Sequence, residues 1–379
     1  MSAEPPGDLP DVPMAQPVLG TEEEELVLEV LRSGYLSLGP TGPRFERDFA
    51  AFVGTPYASA VSSGTAGLHL AVRAAGVKDG DEVITSPFSF VASANVIAYE
   101  RATPVFADID PVTLNVDPAA VAAAITDRTT ALLPVHIFGY PADVPALETH
   151  GLPIVEDACE ALGARHADGV AVGARGHAAV FGFYANKQLT TGEGGMVTLG
   201  DEATKARIDS ERNQGRAPDM GWLDHDRLGF NYRLTDLQAA VGIAQVQRLP
   251  QMLADRAAVA GRYREALAPL ASELDLQLPC EDHDGDVRGW FVFVVQVPRG
   301  HDRDDVIRAL RARGVQSKPY LPAIHLMSYY RETYGLREGM FPVCEDVAAR
   351  SIALPFFPAM RQDQVERVAD ALREALRGS

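Results

Sequence analysis

Lys187 lies in Tyr184-Ala-Asn-Lys-Gln-Leu-Thr-Thr-Gly-Glu-Gly-Gly195, between the apolar run 178–183 and a second short run, Met196-Val-Thr-Leu199. A primary amine at the end of a buried strand is a candidate nucleophile toward a carbonyl carbon and a candidate base, because desolvation lowers the pKa of a lysine. Its ordinary alternative is a side chain whose stem covers apolar surface while the ammonium stays in water. Asp157 follows the apolar Pro153-Ile-Val-Glu156. A carboxylate there is costly unless it meets a cation or several donors, and a loop-capping aspartate is equally ordinary. Ser62-Ser-Gly-Thr-Ala-Gly-Leu68 leads into a helical stretch. Its small residues let backbone N–H groups and hydroxyls converge on an anion at the positive helix end, or merely cap the helix. Phe88 and Phe90, in Ser86-Pro-Phe-Ser-Phe-Val91, offer a ring face or simply core. The Gly192-Glu-Gly-Gly195 turn alone is only a hairpin.

The elements that must position these groups alternate along the chain. Short apolar segments at 82–85, 103–107, 131–135 and 153–156 are separated by Ala-rich helical stretches at 66–75, 90–99 and 118–125. Such alternation implies a mostly parallel sheet between helices, and ligands of these folds sit at the carboxyl ends of the strands. Residues 21–32 form an amphipathic helix with Thr21 as N-cap and four glutamates behind it. A long helix starts near Leu234 and runs to about Leu270, interrupted at Pro250. Beyond it come a strand at 290–297, a helix at 304–313 and a final amphipathic helix at 363–377. The expected division is a loosely ordered tail (1–16), a large domain (17–250) and a smaller α+β domain (251–379).

An anion cradle, a buried acid, a strand-end lysine and an aromatic on the ligand side of one α/β sheet are together the equipment for pyridoxal 5′-phosphate (PLP). The cradle suits the phosphate and the lysine suits the aldehyde. The acid keeps the pyridine nitrogen protonated, and the aromatic lies on the ring face.

Composition narrows the partners. A formal charge of −18 argues against nucleic acid or an anionic membrane as the main partner, yet leaves room for a small phosphorylated ligand. Three cysteines without CxxC spacing suit a reducing compartment, and the histidines show no metal-ligand spacing. The acidic, Pro-rich start has no apolar core of a signal peptide, and no run reaches transmembrane length, so a cytoplasmic enzyme is expected.

Five ordered motifs, "SSGTAGL", "PFSFVASANVIAYE", "VEDACEALGA", "FGFYANKQLTTGEGGMV" and "LGFNYRLTDLQAAVGIAQV", resemble the successive motifs of the sugar-nucleotide aminotransferases. These are PLP enzymes of fold type I in the aspartate-aminotransferase-like superfamily. The resemblance runs from about Pro17 to Ala371. It implies that Lys187 is the lysine joined covalently to the cofactor and Asp157 the partner of the ring nitrogen. Glu160 falls where the family has Gln, Glu or His near the ring hydroxyl, and Phe90 falls at the stacking aromatic. Ser63, Gly64 and Thr65 fall at the phosphate. Asn231 resembles a residue that reaches the phosphate of a neighbouring subunit, which implies a homodimer with shared active sites. The chain departs from many members at Gly182, where a serine hydroxyl usually helps bind phosphate.

By the same resemblance the amino donor is L-glutamate. The acceptor is a nucleotide-linked keto sugar, most closely C-4 of a dTDP- or UDP-4-keto-6-deoxyhexose, with C-3 amination the alternative. Lys318, His325, Arg331 and Arg337 stand among aromatics in 317–342, a cluster that suits a diphosphate and a base, or else forms a solvated amphipathic loop. The segment resembles the family's nucleotide-sugar loop, which makes Tyr320 and His325 expected substrate contacts, with Tyr35 and Tyr184 lining the sugar pocket. Three rivals remain in view. A sugar dehydratase of the same fold would replace the lysine. A non-catalytic sensor would lose Asp157 or Lys187, or add a helix or basic tail. A nucleotide-dependent oxidoreductase would carry GxGxxG after an early strand, and none is present.

Overall fold

The computed structural model describes residues 11–217, 224–283 and 285–378. Seven strands build the central sheet: β1 (Tyr57–Val61), β2 (Glu82–Thr85), β3 (Thr103–Phe106), β4 (Thr129–Leu133), β5 (Val155–Asp157), β6 (Ala178–Gly182) and β7 (Gly195–Leu199). Two ladders, β1-β7-β6-β5 and β3-β2-β4, are joined through the parallel bridges Leu132↔Ile154 and Val135↔Asp157. The resulting order is β1-β7-β6-β5-β4-β2-β3. Only β7 runs against its neighbours, so six carboxyl ends open on one edge. Helices cover the faces. Gly64–Ala74 and Ala92–Tyr99 pack with the sheet through Leu68, Leu70, Val96 and Ile97, while Thr41–Val53 packs Phe45 and Phe49 against Phe181 and Phe183.

The small lobe is an antiparallel sheet, β8 (Phe293–Gln296), β9 (Lys318–Pro319) and β10 (Ser351–Leu354), in the order β8-β10-β9. Helices Arg303–Ala312 and Gln362–Arg377 cover it, burying Val306, Leu310, Val365, Val368 and Leu372.

One helix, Asp236–Leu274, belongs to both cores: Ile243, Val246, Leu249 and Met252 pack in the large lobe, and Val259, Tyr263, Leu267 and Leu270 in the small one. It starts with a reciprocal cap, in which Gln238 N–H donates to Thr235 Oγ1 and Thr235 N–H donates to Gln238 Oε1. The expected interruption at Pro250 does not occur. Pro250 lies on the exposed face between buried Leu249 and Met252, and core contacts on both sides outweigh the one missing backbone donor. The first helix, Thr21–Ser33, is capped by Gly20 rather than Thr21, with the Gly20 N–H donating to Glu23 Oε2 at 2.8 Å. Residues 11–16, expected within a loose tail, are instead sewn to the small lobe. Val12 is buried and pairs with Val315, and Phe356 N–H donates to Met14 O. Residues 1–10 lie outside the described residues. Among the described residues no helix is long and apolar enough to cross a membrane.

Candidate active site

The carboxyl edge of the sheet gathers the motif residues because each motif ends a parallel strand. After β1 the chain turns at Ser62 and Ser63 into helix Gly64–Ala74, where Ser63 Oγ accepts the Ala66 N–H at 3.1 Å. The N–H groups of Gly64 and Thr65, in the first turn, have no intrahelical acceptor and carry the positive end of the helix. This turn rests directly on the sheet edge. A Cβ on Gly195 would meet Ser63 C at 2.8 Å and Gly64 N at 2.9 Å, and one on Gly64 would meet Cys159 Sγ at 2.8 Å. Glycine at these positions is what lets the donors come down beside the ends of β5 and β6.

Asp157 is the last residue of β5 rather than the first beyond it, and it is buried. Its Oδ2 accepts the Ser93 hydroxyl at 2.7 Å and its Oδ1 the Cys159 N–H at 3.1 Å. Those two bonds leave lone pairs free for a further donor. Burial pushes the neighbouring Cys159 thiol well up, and the Asp157 carboxylate adds to the effect, so this thiol stays protonated and inert.

Lys187 sits on the excursion between β6 and β7, which closes on itself through Phe183 N–H to Gly194 O and Thr191 N–H to Phe183 O. Its backbone is clamped. The next residue, Gln188, donates Nε2–H to Glu160 O at 2.6 Å and to Gly289 O at 3.1 Å, and Arg256 Nη2 donates to Lys187 O at 3.2 Å. Arg256 also holds Phe291 O at 3.0 Å, which fixes the Phe291 ring against the amine, with Nζ 4.0 Å from the ring centroid. Burial pulls the Arg256 pKa down to about 10, still high enough to keep the guanidinium charged near neutral pH.

Lys187 Nζ stands 3.4 Å from Glu160 Oε1, a long contact for a buried ion pair, while Glu160 Oε2 accepts the Phe138 N–H at 3.0 Å. Burial raises the Glu160 carboxyl; Lys187 and the Phe138 N–H oppose that, and the charge on Asp157 adds to it. Lys187, Asp157 and Glu160 therefore share one buried electrostatic cluster. Tyr320 joins it from the small lobe. Its hydroxyl interacts with Glu160, which together with burial holds the phenol well above its usual range, and its ring packs against Phe138 and Phe291.

The two phenylalanines of the 86–91 turn divide. Phe88 is core, edge-to-face with Phe138, whereas Phe90 is 62% exposed and presents a free ring face. Tyr184 is exposed three residues before Lys187, and its carbonyl accepts the Lys187 N–H. Tyr35 and Asn231 are exposed, Asn231 in a segment bridged to Asn213, and neither contacts Lys187, Asp157 or Glu160 among the described residues. His325, expected at the substrate, is 0% exposed, with its ring bonded to Glu345 and packed on Phe341. It lines no open surface, because Ile324 and Tyr330 beside it fold into a small core with Phe106. Ser93, Phe138, Gln188, Arg256 and Phe291 were not anticipated. Two of them lay within quoted motifs: Ser93 one helical turn after Phe90, and Gln188 immediately after Lys187.

The donor set fits PLP. Two first-turn N–H groups stand over a floor kept free of side chains, a buried carboxylate has lone pairs to spare, and an aromatic face is open. The amine beside them is held by a long ion pair to Glu160 and by the Phe291 ring face. Gly182 lies within this floor: a Cβ there would meet Cys159 Sγ at 3.3 Å and Gly64 Cα at 3.9 Å. A serine therefore fits with a shift of a few tenths of an ångström. Gly182→Ser is expected to tighten PLP binding about two- to tenfold, the worth of one net hydrogen bond. Fluorescence titration of the cofactor-free protein checks this, and unchanged or weaker binding places the phosphate elsewhere.

Comparison with known proteins agrees with this geometry. A model of the DegT/DnrJ/EryC1/StrS aminotransferase family matches residues 17–373. The chain is 38% identical over 385 residues to the spore coat polysaccharide biosynthesis protein SpsC of Bacillus subtilis (strain 168), covering 97% of this chain and 98% of the relative. Among solved structures it is similar to DesV of S. venezuelae, described in complex with a ketimine intermediate (36% identity, TM-score 0.89, 97% of this chain and 98% of that one). It is also similar to the aminotransferase TlmJ of Streptoalloteichus hindustanus (34% identity, TM-score 0.89, 97% and 99%). The chain belongs to the DegT/DnrJ/EryC1/StrS family of PLP-dependent sugar aminotransferases and is a PLP-dependent aminotransferase of fold type I.

Proposed function

We propose that this enzyme moves the amino group of L-glutamate to a nucleotide-linked keto sugar, at C-4 of a dTDP- or UDP-4-keto-6-deoxyhexose, giving a 4-amino-4,6-dideoxy sugar nucleotide. The observation that carries the chemistry is the buried cluster of Lys187, Asp157 and Glu160 at the carboxyl edge of the sheet. PLP, when bound, supplies a sink for the electrons left behind when a C–H bond next to nitrogen breaks. Lys187 would hold the cofactor and, as a free amine, would be the base that takes the proton from the donor's α-carbon. Asp157 would keep the ring nitrogen protonated. Glu160 would meet the ring hydroxyl, Phe90 would cover a ring face, and Ser63, Gly64 and Thr65 would receive the phosphate, with Asn231 of a second copy of this chain completing it in a homodimer. Burial raises the Glu160 carboxyl toward protonation while Lys187 opposes this, which suits a group that would share a proton with the cofactor.

Support for the sugar nucleotide comes from the segment 318–341. It carries exposed Lys318, Arg331 and Arg337, and it is fastened to the turn that bears Phe90. Ile324 N–H donates to Pro87 O at 2.8 Å, and the Tyr330 hydroxyl donates to Asn95 Oδ1 at 2.6 Å. Tyr320 reaches Glu160 from the same segment, and Tyr35 and Tyr184 offer exposed rings for a sugar. The relative SpsC is named for polysaccharide biosynthesis. A cytoplasmic location belongs to the same reading.

The test is a panel of dTDP- and UDP-ketosugars with glutamate. Glutamate alone is expected to shift the cofactor's absorbance, a 4-keto-6-deoxy sugar nucleotide to reverse it, and NMR of the product to show nitrogen on C-4. Indifference to every nucleotide ketosugar, with good activity on a small keto acid, overturns the acceptor assignment. Nitrogen on C-3 overturns only the regiochemistry.

A further inference from the structure

His325 is wholly enclosed and yet not fully satisfied. Its Nε2 bonds Glu345 Oε1 at 2.9 Å, and as a carboxylate only accepts, Nε2 carries the hydrogen. Nδ1 has no partner among the described residues, and the ring lies edge-to-face on Phe341 at 4.7 Å. Glu345 in turn accepts the Gly339 N–H on both oxygens at 2.9 Å and the Phe341 N–H on Oε1 at 3.2 Å. Immediately beyond, Asp108 of the large lobe accepts the N–H groups of Val343 at 3.0 Å and Cys344 at 2.9 Å. Two carboxylates thus hold four backbone donors in the stretch 339–344, and a buried imidazole orients one of them.

What this arrangement fixes is the loop 335–341, which carries exposed Arg337 and follows helix Ser328–Tyr334 with exposed Arg331. The loop has no helix or strand of its own, so its backbone donors would otherwise be left to water. A loop ordered only on binding subtracts that ordering cost from the affinity of its ligand.

We propose that His325 and Glu345 form an internal latch that presets the 335–341 loop to receive the nucleotide diphosphate of the acceptor. His325 acts through Glu345 and touches no substrate; it is a positioning residue. This rests on the acceptor reading above, in which the segment 318–341 faces the sugar nucleotide. The latch is selective in what it affects. Donor chemistry at Lys187 uses no group of the loop, so glutamate turnover should not depend on it.

The PLP-loaded full-length enzyme tests this with four variants: Glu345→Ala, Glu345→Gln, His325→Leu and His325→Gln. Hydrogen exchange at the Gly339 and Phe341 amides reads the latch itself. The KM for the best nucleotide ketosugar reads its use, and the glutamate-driven absorbance change reads the donor half-reaction. In Glu345→Ala, exchange at both amides is expected to rise by about tenfold or more, and the ketosugar KM to rise by about tenfold. The glutamate half-reaction is expected to stay within about twofold. His325→Leu follows Glu345→Ala in direction. His325→Gln, which keeps an N–H donor for Glu345, and Glu345→Gln, which keeps an acceptor for the loop, fall between it and the parent. Unchanged exchange in Glu345→Ala overturns the latch. Raised exchange with an unchanged ketosugar KM overturns its role in acceptor binding. An equal loss in both half-reactions overturns it as well, showing a general structural role. If the parent enzyme ignores every nucleotide ketosugar, the acceptor reading fails by itself, and the latch then stands or falls on the exchange measurement alone.

Discussion

Lys187→Ala is expected to lower turnover by roughly four orders of magnitude, the upper range for losing a positioned general base, and to leave the cofactor bound without a covalent link. The phenol and the thiol of the same cluster cannot substitute. Within the cluster the other protic groups are Glu160, Tyr320, Asp157 and the Cys159 thiol. Burial raises both the phenol of Tyr320 and the thiol of Cys159, which leaves each protonated and a poor base. The lysine is also held in place from outside: Arg256 and Gln188 fix the backbone just after its Cα, its own N–H donates to Tyr184 O, and Phe291 limits where the amine can swing. Two measurements separate covalent attachment from base chemistry. Borohydride reduction followed by peptide mass analysis should place the cofactor on the peptide containing Lys187 in the parent and nowhere in the variant. Added methylamine should restore part of the donor half-reaction in Lys187→Ala, since a free amine can enter the space the side chain leaves. A variant that transaminates at the parental rate, or a cofactor reduced onto another lysine, removes Lys187 from its assigned role.

What could be read from the chain follows from how local each signal is. Strand–helix alternation is written in short windows, so the parallel sheet, the helix after "SSGTAGL" and the meeting of Asp157 with Lys187 at one sheet edge were all legible. The family, the fold type and the dependence on PLP followed from five motifs, and the comparisons bear them out. The second layer of the site was not legible. Arg256 and Phe291 reach Lys187 from 69 and 104 positions away and carry no motif of their own, since only the packing of two lobes brings them together. The fate of His325 was misread for a related reason. Its neighbours in sequence are basic and aromatic, which suggests an open binding loop, but Ile324 and Tyr330 pull that turn inward and put the exposed charges on the residues after it. At Pro250 a strong local rule lost to tertiary packing, because the buried residues on both sides of the proline belong to cores that keep the helix continuous across it.

Asp157→Asn is expected to be nearly as damaging to catalysis as the loss of the lysine and far gentler to the fold. The substitution keeps shape and removes charge. An amide oxygen can still accept the Cys159 N–H now 3.1 Å from Oδ1, and the amide nitrogen would face the Ser93 hydroxyl, which can accept as readily as it donates. The strand is also held by its backbone, with His136 N–H donating to Asp157 O and Asp157 N–H to Pro134 O, so β5 should stay in register. The loss falls on the cofactor: a neutral amide cannot stabilise a protonated pyridine nitrogen, and the ring then accepts electrons poorly. Breaking a buried charge pair on one side costs about 3–5 kcal/mol, which corresponds to roughly a 10²- to 10⁴-fold fall in the donor half-reaction. The same variant loaded with a PLP analogue methylated on the ring nitrogen carries a permanent positive charge and needs no proton there, so it should recover much of the lost rate relative to Asp157→Asn with PLP. Ser93→Ala supplies the graded case: one of two donors to the carboxylate is gone, the charge remains, and a fall of about tenfold, the worth of one charge-assisted hydrogen bond, is expected. Stopped-flow absorbance with glutamate measures all three. If Asp157→Asn reacts at the parental rate, or if the methylated analogue rescues nothing, the carboxylate does not face the ring nitrogen, and its burial beside Ser93 and Cys159 serves the fold alone.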